Sequence, residues 1–222
     1  MTLRRLFGRI FLVTGLSLIL FIAVPLLLST LQFQLFSPKS LFDPSLASAF
    51  PLPRVINVLG LTTQDYTSPQ SWFDTQDASQ TEIVSSVKFY TISLPRLNII
   101  DVPVEINGTD LKQNAIHYPG SSLPGQFGNA VVFGHSSLPQ LYKPRDPLTI
   151  FNPLPKAKIG DEVQVKYDGI AYKYVVKKTL EVTPKQIEVL SQTYDRYEIT
   201  LITCVPLGTY WRRFVVVAEL VN

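Results

Sequence analysis

The sequence predicts an all-β domain, a closed barrel or a sandwich, preceded by one N-terminal transmembrane helix. With 222 residues, 46% of them hydrophobic, the chain is long enough for one domain with a sizeable core. From residue 87 onward, short β-branched and aromatic runs are separated by Pro and Gly, and helix signals are few. An almost uncharged stretch, residues 10–31, follows Arg4, Arg5 and Arg9.

Residues 10–31 are long enough to cross a bilayer as an uncleaved helix, since a span needs about 20 apolar residues. A removable signal peptide would have a shorter apolar region. The positive-inside rule predicts that residues 1–9 form a cytoplasmic tail and that the chain after residue 31 lies outside. The chain has 20 Lys+Arg and 17 Asp+Glu, so the three arginines of the tail account for the excess. The charge therefore does not indicate nucleic-acid binding.

Residues 32–86 are predicted to be a stalk or a loosely ordered extension. They are rich in Ser, Pro, Gln, Thr and Asp and show no sustained period of 2 or 3.6. The apolar residues 55–59 are a short exception. Trp72 and Phe73 leave two alternatives open: they pack on the domain or over its cleft, or they belong to a linker with few hydrophobic contacts, which is favoured.

Residues 87–222 are predicted to form the folded domain. Asp168-Gly169 is a typical two-residue hairpin turn between two alternating segments. Residues 148–154 and 184–190 carry weak helix signals of one or two turns. The predicted strands are residues 87–92, 98–104, 130–133, 162–167, 171–176, 197–203 and 214–221.

Cys204 is the single cysteine of the chain and ends the predicted strand 197–203. On the outer side of a membrane it has no partner for an intramolecular disulfide. It is therefore either a buried apolar residue or a free thiol with a chemical role. A reactive thiol needs activation, because at a pKa of about 8.5 only a few per cent is thiolate at neutral pH. Spacing alone leaves both interpretations open.

Three residues are candidates for activating this thiol. His135 follows the predicted strand 130–133 and Gly134, a glycine expected to let the backbone turn. Arg213 opens the last strand nine positions after Cys204, so antiparallel pairing would return its guanidinium beside the thiol to stabilise an oxyanion. Arg212 competes for this role. His117 lies in turn-rich sequence and is interpreted as structural.

Residues 200–204, Thr-Leu-Ile-Thr-Cys, followed by Arg213 at the start of the next strand, resemble the signature of the sortases, the membrane-anchored cysteine transpeptidases of bacteria. Phe133-Gly134-His135 resembles the strand end that carries the sortase histidine. Residues 94–104, 119–130 and 159–163 resemble further segments of the family in the same order. The resemblance extends from about residue 89 to residue 222, and Ser136-Ser137 after the histidine leaves the subclass open.

The resemblance implies a closed barrel of about eight strands with few short helices, so that residues 87–222 are the catalytic domain. It implies that Cys204 cleaves a Leu-Pro-x-Thr-Gly-like sorting signal between Thr and Gly through a thioacyl enzyme. His135 would act as acid and base, Arg213 would stabilise the oxyanion, and Thr203 would line the substrate pocket. This chemistry needs no metal and no organic cofactor.

The implied partners are surface proteins that carry a sorting signal, an amine acceptor, and the membrane through the N-terminal helix. The acceptor would be a peptidoglycan-precursor amine or a protein lysine. The chain is expected to be a single-pass cell-membrane protein with an extracytoplasmic catalytic domain. Two alternatives stay open: an inactive anchored β module that binds or scaffolds, and another extracytoplasmic Cys/His hydrolase.

Overall fold

A computed structural model describes residues 12–21, 23–25, 27–28, 66–74 and 83–221. The predicted tail, residues 1–9, and most of the predicted extension, including residues 55–59, lie outside the described residues. The described residues of the predicted anchor are helical and largely exposed. Within the described ranges, no helix has both the length and the apolar character that a membrane span requires. The membrane span stays a prediction.

Residues 89–220 contain the strands of a closed barrel. The strands are β1 (Phe89–Leu94), β2 (Ile99–Ile106), β3 (Ala115–His117), β4 (Gly128–Phe133), β5 (Glu162–Tyr167), β6 (Ile170–Val182), β7 (Tyr197–Val205) and β8 (Arg212–Leu220). Their order around the barrel is β1-β2-β3-β4-β7-β8-β6-β5, and β5 pairs with β1 to close it. Two pairs, β2–β3 and β4–β7, are parallel, and the others are antiparallel. The closed barrel is confirmed, and a sandwich is excluded.

The predicted strands are found, with two differences. The strand β3 is missing from the prediction, because three residues are too short to show an alternating pattern. The strand β6 continues beyond the predicted end, residue 176, to Val182. The prediction stopped early because the register of β6 shifts between Val176 and Lys178, and this irregularity interrupts the alternating pattern. The helix signal at residues 184–190 corresponds to the short 3-10 helix Ile187–Leu190. The predicted helical turn at residues 148–154 is not found as such: residues 148–153 form turns, and the 3-10 helix Leu154–Lys156 begins only at their end.

The hairpin between β5 and β6 has the predicted two-residue turn. Tyr167 and Ile170 are register partners, so only Asp168 and Gly169 connect the strands. Both turn residues have positive φ, 48° and 76°. This geometry is the type I′ turn that matches the twist of paired strands and favours Asp-Gly. The prediction of this hairpin is confirmed.

One hydrophobic cluster, to which all the strands contribute, fills the barrel interior. Its buried members include Ile92, Val104, Val132, Leu201 and Val216. Burying a side chain of this size stabilises the fold by roughly 1.5–3 kcal/mol relative to leaving it in water. The interior is therefore a packed core that holds the strand ends in place.

A second hydrophobic cluster covers the outer face of β4, β7 and β8. Side chains alternate between the two faces of a strand, so Phe133, Ile202 and Val215 point away from the barrel interior. Trp72 and Phe73, from the segment before the barrel, belong to the same cluster. These three strands are therefore buried on both faces.

His117, on β3, lies in a buried hydrogen-bond network and is itself fully buried. Its Nδ1 is 2.8 Å from the Tyr90 hydroxyl, and its Nε2 is 3.0 Å from the Ser121 hydroxyl. Ser121 donates its hydroxyl proton to the Tyr118 carbonyl, so it accepts from Nε2–H and Tyr90 donates to Nδ1. A neutral imidazole satisfies both contacts, and burial lowers the pKa of His117 to about 4.

We predict that His117 makes the fold less stable in acid. Its pKa is lower in the folded than in the unfolded chain, so the unfolded chain binds more protons between about pH 6.5 and pH 4. Stability is lost as the pH falls through this range, by about 3 kcal/mol. Denaturant unfolding of wild type and His117→Asn between pH 7 and pH 4 measures this. Equal pH slopes for the two proteins would contradict the assignment.

Candidate active site

The register of β7 brings the three predicted catalytic residues to one end of the sheet. The parallel strands β4 and β7 pair through Phe133 and Ile202, so the residues that follow these two leave the sheet at the same edge. His135 comes after β4, and Cys204 lies near the end of β7. On the other side of β7, Cys204 is the direct register partner of Arg213. Directly opposed residues share a face, so Arg213 lies on the Cys204 side of the sheet.

Arg213 is fully buried and its hydrogen bonds go to main-chain carbonyls. Its Nε and Nη2 donate to the Trp72 carbonyl at 3.0 and 2.7 Å, and its Nη1 donates to the Tyr210 carbonyl at 2.9 Å. Among the described residues, no carboxylate pairs with it, and no group of three or more His, Cys, Asp or Glu is placed to hold a metal. A buried cation without an acidic partner is costly, and the hydrogen bonds to these carbonyls offset that cost.

Arg212 lies on the opposite side of β8 and is occupied elsewhere. Its Nε is 2.6 Å from a carboxylate oxygen of Glu181 on β6, and its side chain is about half exposed. Adjacent residues of a strand point to opposite faces, so Arg212 and Arg213 cannot exchange places without a register slip. Of the two arginines that the sequence leaves in competition, the geometry places Arg213 across from Cys204.

Cys204 is a free thiol that is closed off from solvent. Only 1% of it is exposed. Burial raises the pKa of the thiol to about 12, and the positive charge of Arg213 opposes this in part. In this conformation the thiol is therefore protonated and shielded from reagents.

The cover over this site is formed by residues 66–74, here called the covering segment. Trp72 is fully buried, packs its ring edge-on against Phe133 at 5.2 Å, and lies 5.9 Å from the ring of His135. Phe73 packs against the same Phe133 ring. The guanidinium of Arg213 lies 5.4 Å from the Trp72 ring centroid, so this tryptophan contacts it with both ring and carbonyl.

Contacts at both ends hold the covering segment in place. The Leu111 N–H donates to the Thr67 carbonyl at 2.8 Å, and the Asp74 N–H donates to the Pro184 carbonyl at 3.0 Å. Tyr66 stacks on Tyr210 with ring centroids 4.1 Å apart. This part of the extension therefore differs from the favoured expectation of a linker with few contacts. The reason is that two adjacent aromatic side chains bury a large apolar area.

His135 is held where the chain turns away from β7. Its carbonyl accepts a hydrogen bond from the Phe151 N–H at 3.0 Å, and the residue is buried. Gly134 precedes it without a positive φ, so no left-handed backbone conformation requires a glycine at this position. A Cβ atom at Gly134 would clash with the ring of Phe151. The glycine is required by this close packing.

Thr203 points toward β4. It is fully buried, and its Oγ1 donates to the Gly134 carbonyl at 2.8 Å. Contact with a substrate stays a prediction for this residue. Sequence reasoning missed Ser136, whose Oγ donates to the Cys204 carbonyl at 2.6 Å. The signal was the unusual Ser-Ser pair after His135, but only the fold shows its partner.

A family model described as the sortase domain matches residues 92–221, more than half of the chain. The chain belongs to the sortase family. Sortase A of Streptococcus agalactiae is 28% identical over 158 residues, which cover 67% of this chain and 62% of that protein. Sortase A of Bacillus anthracis is 29% identical over 133 residues, 59% of each chain. The chain thus spans about three fifths of the length of these curated relatives.

Solved sortase structures share the fold. Sortase C-1 of Actinomyces oris superposes with a TM-score of 0.54 at 30% identity, over 62% of this chain and 76% of that one. Sortase A of Corynebacterium diphtheriae gives a TM-score of 0.52 at 28% identity, over 63% of each chain. The sortase barrel is therefore the scaffold on which this site is built.

We predict that Trp72→Ala makes Cys204 reactive. Truncation removes the largest apolar contact of the covering segment, which lowers the free energy of local opening. Alkylation by iodoacetamide at pH 7.5 should be faster by about tenfold or more than in wild type. Phe127→Ala is the matched control. It removes an aromatic ring that stacks on Tyr197 where β4 and β7 begin, at the end of these strands that lies away from Cys204. Equal rates in wild type and Trp72→Ala would show that the segment does not shield the thiol.

Proposed function

We propose that this chain is a cysteine transpeptidase that cleaves a Leu-Pro-x-Thr-Gly-like sorting signal between Thr and Gly. The observation that carries the proposal is the pairing of Cys204 with Arg213 beside the strand end that bears His135. A thiol, an imidazole and a fixed guanidinium can supply the nucleophile, the proton transfer and the oxyanion stabilisation of acyl transfer through a thioester. Membership of the sortase family supports the same chemistry.

In the first step, the Cys204 thiol gives its proton to His135, and the sulfur attacks the carbonyl carbon of Thr so that a C–S bond forms. The oxyanion accepts hydrogen bonds from Arg213. The C–N bond to Gly then breaks as His135 protonates the departing amine, which leaves a thioacyl enzyme. In the second step, His135 takes a proton from the incoming amine, which attacks the thioester carbon. The C–S bond then breaks, and His135 returns that proton to the sulfur, which regenerates the thiol.

The hydrogen bonds from Arg213 to the Trp72 carbonyl support its proposed role in binding the oxyanion. The guanidinium already directs two donors at one peptide carbonyl oxygen, at 3.0 and 2.7 Å. A substrate carbonyl or an oxyanion could accept hydrogen bonds from the same two N–H groups of the planar guanidinium. It follows that the covering segment has to release Arg213 before a substrate binds there. Its departure would also expose Cys204 and lower the pKa of the thiol.

We infer that the chain acts at the outer surface of the cell membrane. Residues 10–31 would anchor it, and residues 1–9 would stay in the cytoplasm, which the length of the apolar run and its preceding arginines support. Its partners would be surface proteins that carry the sorting signal. The acceptor would be an amine of a peptidoglycan precursor or a protein lysine.

An inactive anchored β module is the second candidate. The burial of Cys204, 1% exposed with a pKa raised to about 12, favours it. The two candidates differ in one respect that can be measured. The transpeptidase opens and forms a covalent acyl adduct, whereas the inactive module does not.

A thioacyl adduct on Cys204 is the expected outcome when the full chain, in detergent, meets sorting-signal peptides. Mass spectrometry should find the mass of the peptide acyl group on Cys204, and an added amine should remove it. Cys204→Ala should form no adduct and should keep its thermal transition nearly unchanged, because a small side chain replaces a small one. If neither the wild type nor the Trp72→Ala variant forms an adduct with any peptide of the set, the inactive module is favoured.

The two arginines should respond differently to lysine. Arg213→Lys replaces a planar fork by one point charge and should reduce kcat/KM by about 100-fold or more. Arg212→Lys keeps a charge near Glu181 at a half-exposed position and should change kcat/KM by about threefold or less. Steady-state peptide cleavage compares them. A larger loss for Arg212→Lys would reverse the assignment.

A further inference from the structure

The main-chain pairing of β4 and β7 stops just before the catalytic residues. The Gly134 N–H donates to the Ile202 carbonyl at 3.1 Å. Beyond Gly134, the main chains of Ser136 and Ser137, both of which are described, make no hydrogen bond to the main chain of residues 203–205. The His135 carbonyl accepts from the Phe151 N–H instead. The regular main-chain ladder between the two segments therefore ends at Gly134, one residue before His135.

Two buried hydroxyl groups replace the missing contacts. In a pair of parallel strands, the main-chain N–H groups of every second residue donate to the same neighbouring strand. A ladder that continued beyond Gly134 would therefore have the Ser136 N–H as its next donor and the Cys204 carbonyl as its acceptor. The Ser136 Oγ takes this place and donates to that carbonyl at 2.6 Å. One step earlier, the Thr203 Oγ1 donates to the Gly134 carbonyl at 2.8 Å.

We propose that Ser136 is a positioning residue for transpeptidation. Its hydroxyl holds the main chain of Cys204 against the residues that follow β4, so that the Cys204 sulfur stays in register with the imidazole of the preceding residue, His135. The proposal rests on the proposed function. Without this donor the buried Cys204 carbonyl loses a hydrogen bond and the end of β7 moves to find another. A displacement of about 1 Å is enough to reduce turnover by about 100-fold.

The test separates this role from simple packing through the pair Ser136→Thr and Ser136→Val. Thr and Val have nearly the same shape, and only Thr retains the hydroxyl. The adjacent Ser137→Ala is the control, because its hydroxyl makes only a 3.5 Å contact with the Leu138 carbonyl. The full chain in detergent is assayed with a sorting-signal peptide and an amine, and kcat and KM are measured separately.

We expect Ser136→Val to reduce kcat by about 10- to 100-fold with KM within about twofold of wild type, since positioning acts on the chemical step. Ser136→Thr should restore kcat to within about threefold, and Ser137→Ala should leave it within about twofold of wild type. Equal kcat in the Thr and Val variants, or a change confined to KM, would overturn the proposal.

If the Val variant does not fold, Ser136→Cys decides the matter. A thiol can take the position of the hydroxyl, but it is larger and a weaker hydrogen-bond donor, so kcat should be lower than in both wild type and Ser136→Thr. Wild-type kcat in the Cys variant would overturn the proposal. A wild-type chain that forms no product refutes the proposed function and this role with it. An active wild type whose kcat is unchanged when the Ser136 hydroxyl is removed refutes only the role of Ser136.

Discussion

The structure depends on the register of one strand, β7. Its parallel pairing with β4 sets Ile202 against Phe133, and its antiparallel pairing with β8 sets Cys204 against Arg213. A slip of one residue would turn Cys204 into the barrel interior and leave Arg213 opposite a different face. The apolar side chains that point into the barrel prevent this slip, because every one of them would move to the wrong side. The packed interior therefore determines which polar groups meet outside it.

Burial at this site both stabilises the chain and closes it. Trp72 covers Phe133, and its carbonyl accepts hydrogen bonds from the Nε and Nη2 of Arg213, a buried cation that has no acidic partner among the described residues. The same cover leaves Cys204 protonated, since burial raises its pKa to about 12. A thiol that reacts only after the covering segment leaves is protected from oxidants and from stray electrophiles. Stability and reactivity are thus set by one group of contacts.

Local signals in the sequence were sufficient where the structure is local. The Asp168-Gly169 turn and the bounds of β5 follow from turn chemistry and strict alternation. Cys204 and Arg213 could be paired because a short loop joins their strands. The carbonyl of Trp72 lies 141 residues from Arg213, and Ser136 lies 68 residues from Cys204. Such contacts depend on the barrel's closure, and no periodic pattern near either residue indicates them.

In the proposed reaction, Cys204 is the nucleophile, and a substrate carbonyl replaces the Trp72 carbonyl on Arg213. The most direct measurement is a crystal structure of the chain after reaction with a sorting-signal peptide whose scissile bond is replaced by a chloromethyl ketone. We expect a covalent bond to the Cys204 sulfur, a hydrogen bond from Arg213 to the ketone oxygen of the peptide, and displacement of residues 66–74. An adduct with Arg213 still bound to the Trp72 carbonyl would contradict it, as would an unmodified Cys204.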